Sequence, residues 1–241
     1  MAGGIKQMSK AVAARRKTPK VRSAANGGYQ KGEETKERIL DAALKEFGAA
    51  SFLAATTRGI AETAGVSLPT LQYYFGSKEG LYLACAEAIV ERYRRNTMVA
   101  SEAAEALRKG CAAETARDHL KAVIAALAKF LAGSRETERW AHFVARELRD
   151  PGPAIELLYA NLWRPGVEIT ARLITCILGK PENDPAARIQ ALLLISSLLV
   201  FQSGRSMSLR AMRWTTIGHE ELAMVLSGLE AQIDAIGRVS L

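Results

Sequence analysis

Between Thr56 and Phe75 the chain carries two helix starts and one helix stop within a single short run, TTRGIAETAGVSLPTLQYYF. Thr56 or Thr57 suits the N-cap of the first helix, and Ile60, Ala61 and Ala64 fall on one face at helical spacing. Gly65 is free to adopt the left-handed conformation that ends a helix. Ser67 then caps a second helix, with Pro69 in its first turn, where a missing N–H costs nothing. Leu71 and Phe75 turn inward together, which leaves Thr70, Gln72, Tyr73 and Tyr74 outside. Polar and aromatic groups crowded onto so short a helix make a poor core and a good reading surface. Gln72 can hydrogen-bond an adenine edge in two places, and Thr70 offers a hydroxyl and a methyl group. Tyr73 and Tyr74 can reach phosphates while stacking over sugars.

The flanking sequence completes a small helical unit. TKERILDAALKEFG places Ile39, Ala43, Leu44 and Phe47 on one face, with Gly48 as the expected stop of a helix about three turns long. Ser77 caps a long helix, KEGLYLACAEAIVERYRRN, which repeats Leu81, Cys85, Ile89 and Tyr93 at four-residue intervals. Three short helices, the second and third joined by a glycine turn, predict a helix-turn-helix whose last helix fits the major groove of DNA. Beyond it, helical patterns cover roughly 115–132, 136–149, 153–179, 184–209 and 218–238, separated by GS, DPGP, GKPENDP and TTIG. No strand-period segment stands among them, and alanine and leucine outweigh the β-branched residues. The expected fold is all-α, with a DNA-binding domain at 33–80 and a larger helical ligand-binding and dimerisation domain at 81–241.

Residues 1–32 hold eight lysines and arginines and no acid, which equals the whole net charge of +8. So basic and aromatic-poor a segment is expected to be a disordered arm. A solubilising tail and a loose phosphate contact both fit it. The 33–80 region carries seven acids against five bases, so placement and not charge must carry the case for DNA. Helix N-termini at Thr57, Ser67 and Ser77 can present backbone donors to phosphates without net charge. Cys85, Cys111 and Cys176 form no metal-ligand spacing and read as reduced packing residues of a cytoplasmic protein. The apolar run ALLLISSLLVF, 191–201, is shorter than the roughly 20 residues a bilayer span needs, so no membrane partner is expected.

From Thr35 to Leu81 the order and spacing of TKERILDAALKEFG, TTRGIAETAGVS, TLQYYF and SKEGL resemble the TetR family of bacterial transcriptional regulators. The resemblance covers about a fifth of the chain. It implies that Thr57 and Arg58 touch phosphates, that Ser67, Leu68, Pro69, Thr70, Gln72, Tyr73 and Tyr74 approach the groove, and that Lys78 clamps a phosphate. Gln72 stands where the family commonly has tyrosine, and Ser51 where glycine is usual. Around DPGPAIELLYANLWRP the chain also resembles a subfamily associated with drug-sensitivity control. The implied function is a ligand-responsive repressor that binds a palindromic operator as a homodimer.

In the larger domain the residues argue for themselves. Trp140, Phe143, Val144 and Glu147 share one helical face, and a carboxylate there needs a partner, either a ligand or a salt bridge. Tyr159 and Trp163 form a second aromatic pair before Pro165, which should bend its helix. A small-molecule pocket is expected among Trp140, Phe143, Glu147, Tyr159 and Trp163, its effector unknown. The segment 185–209 is apolar nearly all round, and the stripe Ile189, Leu192, Leu193, Ser196 and Val200 suits pairing with a symmetry mate beside helix 218–238. An enzyme is not expected: HExxH, GxSxG and phosphate-loop motifs are absent, and His119, His142 and His219 lie on separate helices. No cofactor is expected. A helical adaptor that binds only protein is the alternative class.

Overall fold

The computed structural model describes residues 24–95, 98–132 and 135–238, and among these the regular structure is entirely helical. The chain divides into two compact units, Met1–Thr35 and Lys36–Leu241. Most of the proposed arm, residues 1–23, lies outside the described residues. Residues 24–32 do not fit the disorder expected of them: α1 is a single helix over Ala24–Ala49. Once the downstream turns exist, each further residue adds a hydrogen bond without a new nucleation cost, so the helix runs backward through a segment with little apolar surface.

Three helices follow in close order: α2 (Thr57–Ala64), α3 (Leu68–Phe75) and α4 (Lys78–Arg95). Next come α5 (Met98–Arg108), α6 (Ala113–Ala132) and α7 (Arg135–Arg149). The helix α5 was not anticipated. Its buried residue is the small Ala103, which leaves a weak apolar pattern. The expected helix 153–179 is α8 (Ile155–Leu158), a π-helical turn (Tyr159–Trp163) and α9 (Arg164–Leu178). Pro165 has no N–H to give to the carbonyl four residues earlier, and the chain widens into the π turn just before it, where Arg164 N–H bonds back to Tyr159 O. The expected helix 184–209 is likewise two helices, α10 (Pro185–Gln202) and α11 (Arg205–Met212), and α12 (His219–Ala235) closes the described chain.

Two apolar cores result. The first gathers Ile39, Phe47, Ile60, Leu71, Leu81 and Tyr82 from α1–α4 and continues into Trp140, Phe143 and Leu158 of α7 and α8. The second joins α5, α6, α9, α10 and α12 around Leu120, Ile124, Leu173, Leu198 and Ile233. The packing therefore crosses the expected boundary at residue 80.

Gly48 does not stop α1, which continues to Ala49. Its missing side chain lets α7 approach: a Cβ there would stand 3.1 Å from His142 Cβ and 3.4 Å from the Phe143 nitrogen.

Candidate nucleic-acid interface and ligand cavity

The α2–α3 geometry is set by its own caps. Thr56 is the N-cap of α2, its hydroxyl accepting from Gly59 N–H at 3.1 Å. Gly65 ends α2 at φ 64°, ψ 38°, a conformation that strains any residue with a Cβ. Ser67 caps α3, its Oγ accepting from Thr70 N–H at 3.2 Å. Ser77 caps α4, accepting from Gly80 N–H at 3.0 Å. Leu71, fully buried among Ile60, Phe47 and Leu81, fixes the rotation of α3.

That rotation leaves Gln72 exposed and Tyr73 85% exposed, with Arg58, Ser67 and Pro69 also at the surface. Thr57, Leu68, Thr70 and Tyr74 are half-buried. The Thr70 hydroxyl shares a 2.8 Å hydrogen bond with Ser67 Oγ, so it serves the cap. Tyr74 packs edge-on to Tyr73, centroids 5.3 Å apart, and rests against the core. Lys78 is turned onto its own domain: its Nζ donates to Leu53 O at 3.2 Å and lies 4.9 Å from the Phe52 ring centroid. Beside it Leu53 is 87% exposed. This apolar tip follows no helical period, so nothing in the sequence pattern marks it. The arrangement offers an amide, a phenol and three capped helix N-termini to a polyanion with base edges.

Behind this surface, α7 grips α1 and α4. Arg146 donates to the last carbonyls of α1, Gly48 O at 3.3 Å and Ala49 O at 3.0 Å, where a cation also favours the helix dipole. Arg139 pairs with Asp41 at 2.7 Å. Glu147 lies outside the cavity and makes no ion pair among the described residues. Fully buried, it accepts from Tyr82 Oη at 2.5 Å and from the backbone N–H groups of Gly152 and Ala154 at 3.0 and 2.9 Å. These three donors are the partner its burial required. Burial, together with the bond to Glu147, pushes the Tyr82 phenol well above the usual tyrosine range. Phe143 is also removed from the expected pocket. It is fully buried against Tyr82 and Phe47, centroids 4.6 and 6.5 Å away.

The cavity opens on the opposite side of α7. A space of about 430 Å³ is lined by α4, α5, α6, the π turn, α9 and Ile195 of α10, with Tyr93, Arg94, Ser101, Asn161, Glu168, Thr170 and Arg172 as its polar side chains. Arg94 is held there by Asn161 Oδ1 at 2.7 Å. It shares Tyr93, Leu127, Phe130, Gly166 and Ile195 with an apolar recess that includes Trp140, Val144 and Trp163. Trp140 Nε1 is buried without a hydrogen-bond partner among the described residues. Arg92 lies 4.6 Å from the Trp140 ring centroid. Of the five expected pocket residues, Trp140 and Trp163 are in the recess. Tyr159 is 53% exposed and outside it, because the π turn changes the angle between residues four apart that an α-helix would align. The sequence did not single out Leu127, Phe130 and Asn161 as lining, since the first two read as ordinary core spacing on α6.

On α10, Ala187, Ala191, Leu194 and Leu198 are buried, while Ile189, Leu192, Leu193, Ser196 and Val200 are exposed, Leu193 at 66%. By length and composition α10 could cross a membrane, with mean hydropathy 1.4. Yet one side of it is packed into the second core beside α6 and α9. Further along the chain, α12 exposes Met224, Ser227, Gly228 and Ala231 on one face.

Comparison with known proteins agrees with this geometry. Residues 39–85 match the model of bacterial regulatory proteins of the tetR family, and residues 116–238 match the C-terminal domain of the HTH-type transcriptional dual regulator CecR. The HTH-type transcriptional dual regulator CecR of Shigella flexneri is 31% identical over 208 residues, 86% of this chain and 92% of that protein. A TetR-like transcriptional regulator from Rhodococcus sp. RHA1 superposes with a TM-score of 0.56 at 19% identity, over 83% of this chain and 96% of that one. The transcriptional regulator FadR from Bacillus subtilis, solved in complex with stearoyl-CoA, gives 0.54 at 16% identity, over 85% of this chain and all of the other.

Proposed function

Because this chain belongs to the TetR family of bacterial transcriptional regulators, with a CecR-type C-terminal domain, we propose that it represses transcription as a homodimer on a palindromic operator and is released by a small molecule. The observation that carries the reading is the exposure of Gln72 and Tyr73 on a helix whose rotation is locked by buried Leu71. One such helix per subunit calls for a second subunit, because half-sites on duplex DNA repeat once per helical turn. The uncovered faces of α10 and α12 supply the seam, with Ile189, Leu192, Leu193, Ser196 and Val200 meeting their symmetry mates. A protein that acts on DNA in this way works in the cytoplasm.

The effector sits in the cavity and its apolar recess. The lining suits a largely apolar molecule with a hydrogen-bond acceptor for Trp140 Nε1. Its binding is passed through α7, which carries Trp140 and Val144 toward the recess and Arg146 and Glu147 toward α1 and α4. A differential affinity of about 1–3 kcal/mol between the two states weakens DNA binding some 5- to 150-fold.

Footprinting on genomic fragments retained by the purified protein tests the reading. Two protected half-sites related by a two-fold axis are expected. The double variant Gln72→Ala/Tyr73→Ala should lose that protection with its helix content intact, and unchanged protection overturns the assignment of α3. In sedimentation, Leu193→Glu should give monomers. A dimer that survives this change places the seam elsewhere.

A further inference from the structure

We propose that Cys111 and Cys176 are a reversible redox pair, closed to an intramolecular disulfide by a hydroperoxide. Cys111 lies in the short link between α5 and α6, and Cys176 in the last turn of α9. Their Sγ atoms are 4.0 Å apart, and the Cys176 thiol donates to the Cys111 carbonyl at 3.3 Å. Both are half-buried, so oxidant reaches them, whereas Cys85 is fully buried in the other core. A disulfide needs about 2.05 Å between sulfurs. The missing distance can come from Cys111, whose link is held by no helical ladder on its own side.

The chemistry balances. Cys111 thiolate attacks the terminal oxygen of the hydroperoxide, which splits into the sulfenic acid and an alcohol, or water when the oxidant is hydrogen peroxide. Cys176 then attacks the sulfenic sulfur, its proton leaving with the hydroxyl as water. Two thiols give up two electrons and two protons, and the peroxide bond takes them. Burial and the hydrogen bond with Cys111 raise the Cys176 thiol above its usual range, so Cys176 is the poorer source of thiolate for the first attack.

The bond would tie together two walls of the cavity. Ala100, Ser101 and Ala104 of α5 and Ile169 and Arg172 of α9 line it, and the pair joins the link after α5 to the last turn of α9. Oxidation therefore fixes the spacing on which cavity volume depends. The disulfide itself is independent of the reading of the cavity as an effector site; only its regulatory consequence rests on that reading.

The test treats the full chain with hydrogen peroxide and then with dithiothreitol. Peptide mapping should find Cys111 linked to Cys176 with a mass loss of two hydrogens, Cys85 still reduced, and the link reversed by dithiol. Closing a loop of this length should raise Tm by roughly 8–16 °C. Cys111→Ser and Cys176→Ser should each keep the wild-type helix content and show neither link nor Tm rise. A cross-link between chains, a bond to Cys85, or a sulfinic acid on either residue with no link overturns the proposal. So does an unchanged thiol count at peroxide doses that oxidise exposed methionines. Formation of the link with no change in footprinting between oxidised and reduced wild type would leave the disulfide standing and overturn only its regulatory role.

Discussion

Tyr73 and Phe143 are both large aromatic side chains on amphipathic helices, and they stand at opposite extremes, 85% and 0% exposed. The difference comes from the number of neighbours each helix has. On α3 one face meets α2 and α4, and caps at Ser67 and Gly76 fix the ends, so whatever is not spaced with Leu71 points outward. On α7 the helix is packed on more than one side, against α1 and α4 through Phe143 and toward the cavity through Trp140. A shared helical face then says only that a residue is buried. Which of two interiors receives it depends on packing between elements distant in sequence.

The contrast breaks first at Phe143. Phe143→Ala should cost about 3–5 kcal/mol of stability, as deletion of a fully buried aromatic does, while leaving the cavity lining in place. Calorimetry showing a loss under about 1 kcal/mol would mean that Phe143 is not the wedge between α7 and the DNA-binding helices. Next in size is Glu147→Ala, expected to cost about 2–4 kcal/mol because it strands the Tyr82 hydroxyl and two backbone N–H groups. Urea denaturation reads it directly, and a neutral result would reduce Glu147 to a bystander. On the exposed side, Gln72→Ala should leave stability within about 0.5 kcal/mol. It should weaken operator binding by about 1–3 kcal/mol at the base it contacts, with discrimination there relaxed. A fall in melting temperature in place of a fall in affinity would erase the distinction between the two helices.

The smallest effect concerns pH. The Tyr82 phenol has its pKa raised in the folded state. Its contribution is therefore fully present below about pH 10, the ordinary tyrosine value, and is lost as pH climbs further, because the unfolded chain then ionises more readily than the folded one. Tyr82→Phe should flatten the alkaline limb of stability measured by denaturant midpoints. An unaltered limb would assign it to other groups.

The helix-turn-helix was legible because its determinants are local. Threonine and serine caps, the positive-φ Gly65 and the Leu71 spacing act within a few residues of one another, and all four operate as the sequence suggests. On α10 the same periodicity leaves Ile189 and Leu193 exposed and buries Ala191 and Leu194. What was not legible depends on distant elements or on altered helical geometry. Glu147 found its donors on Tyr82, 65 residues away, and in the turn after its own helix. Tyr159 left the pocket because a π turn broke the α spacing that aligned it with Trp163. Gly48 resembled a stop because glycine so often ends helices, and only the neighbouring helix reveals why it is needed.

The junction at Gly48 has a mechanical consequence. Where two helices meet through side chains, rotamer changes can soak up a displacement of an ångström or so. At Gly48 α1 comes so close to α7 that no side chain fits between them, and Arg146 fastens the same end of α1 to α7 by two hydrogen bonds. The joint behaves as a weld. A displacement of α7 at this end therefore has little side-chain slack to absorb it before it reaches α1.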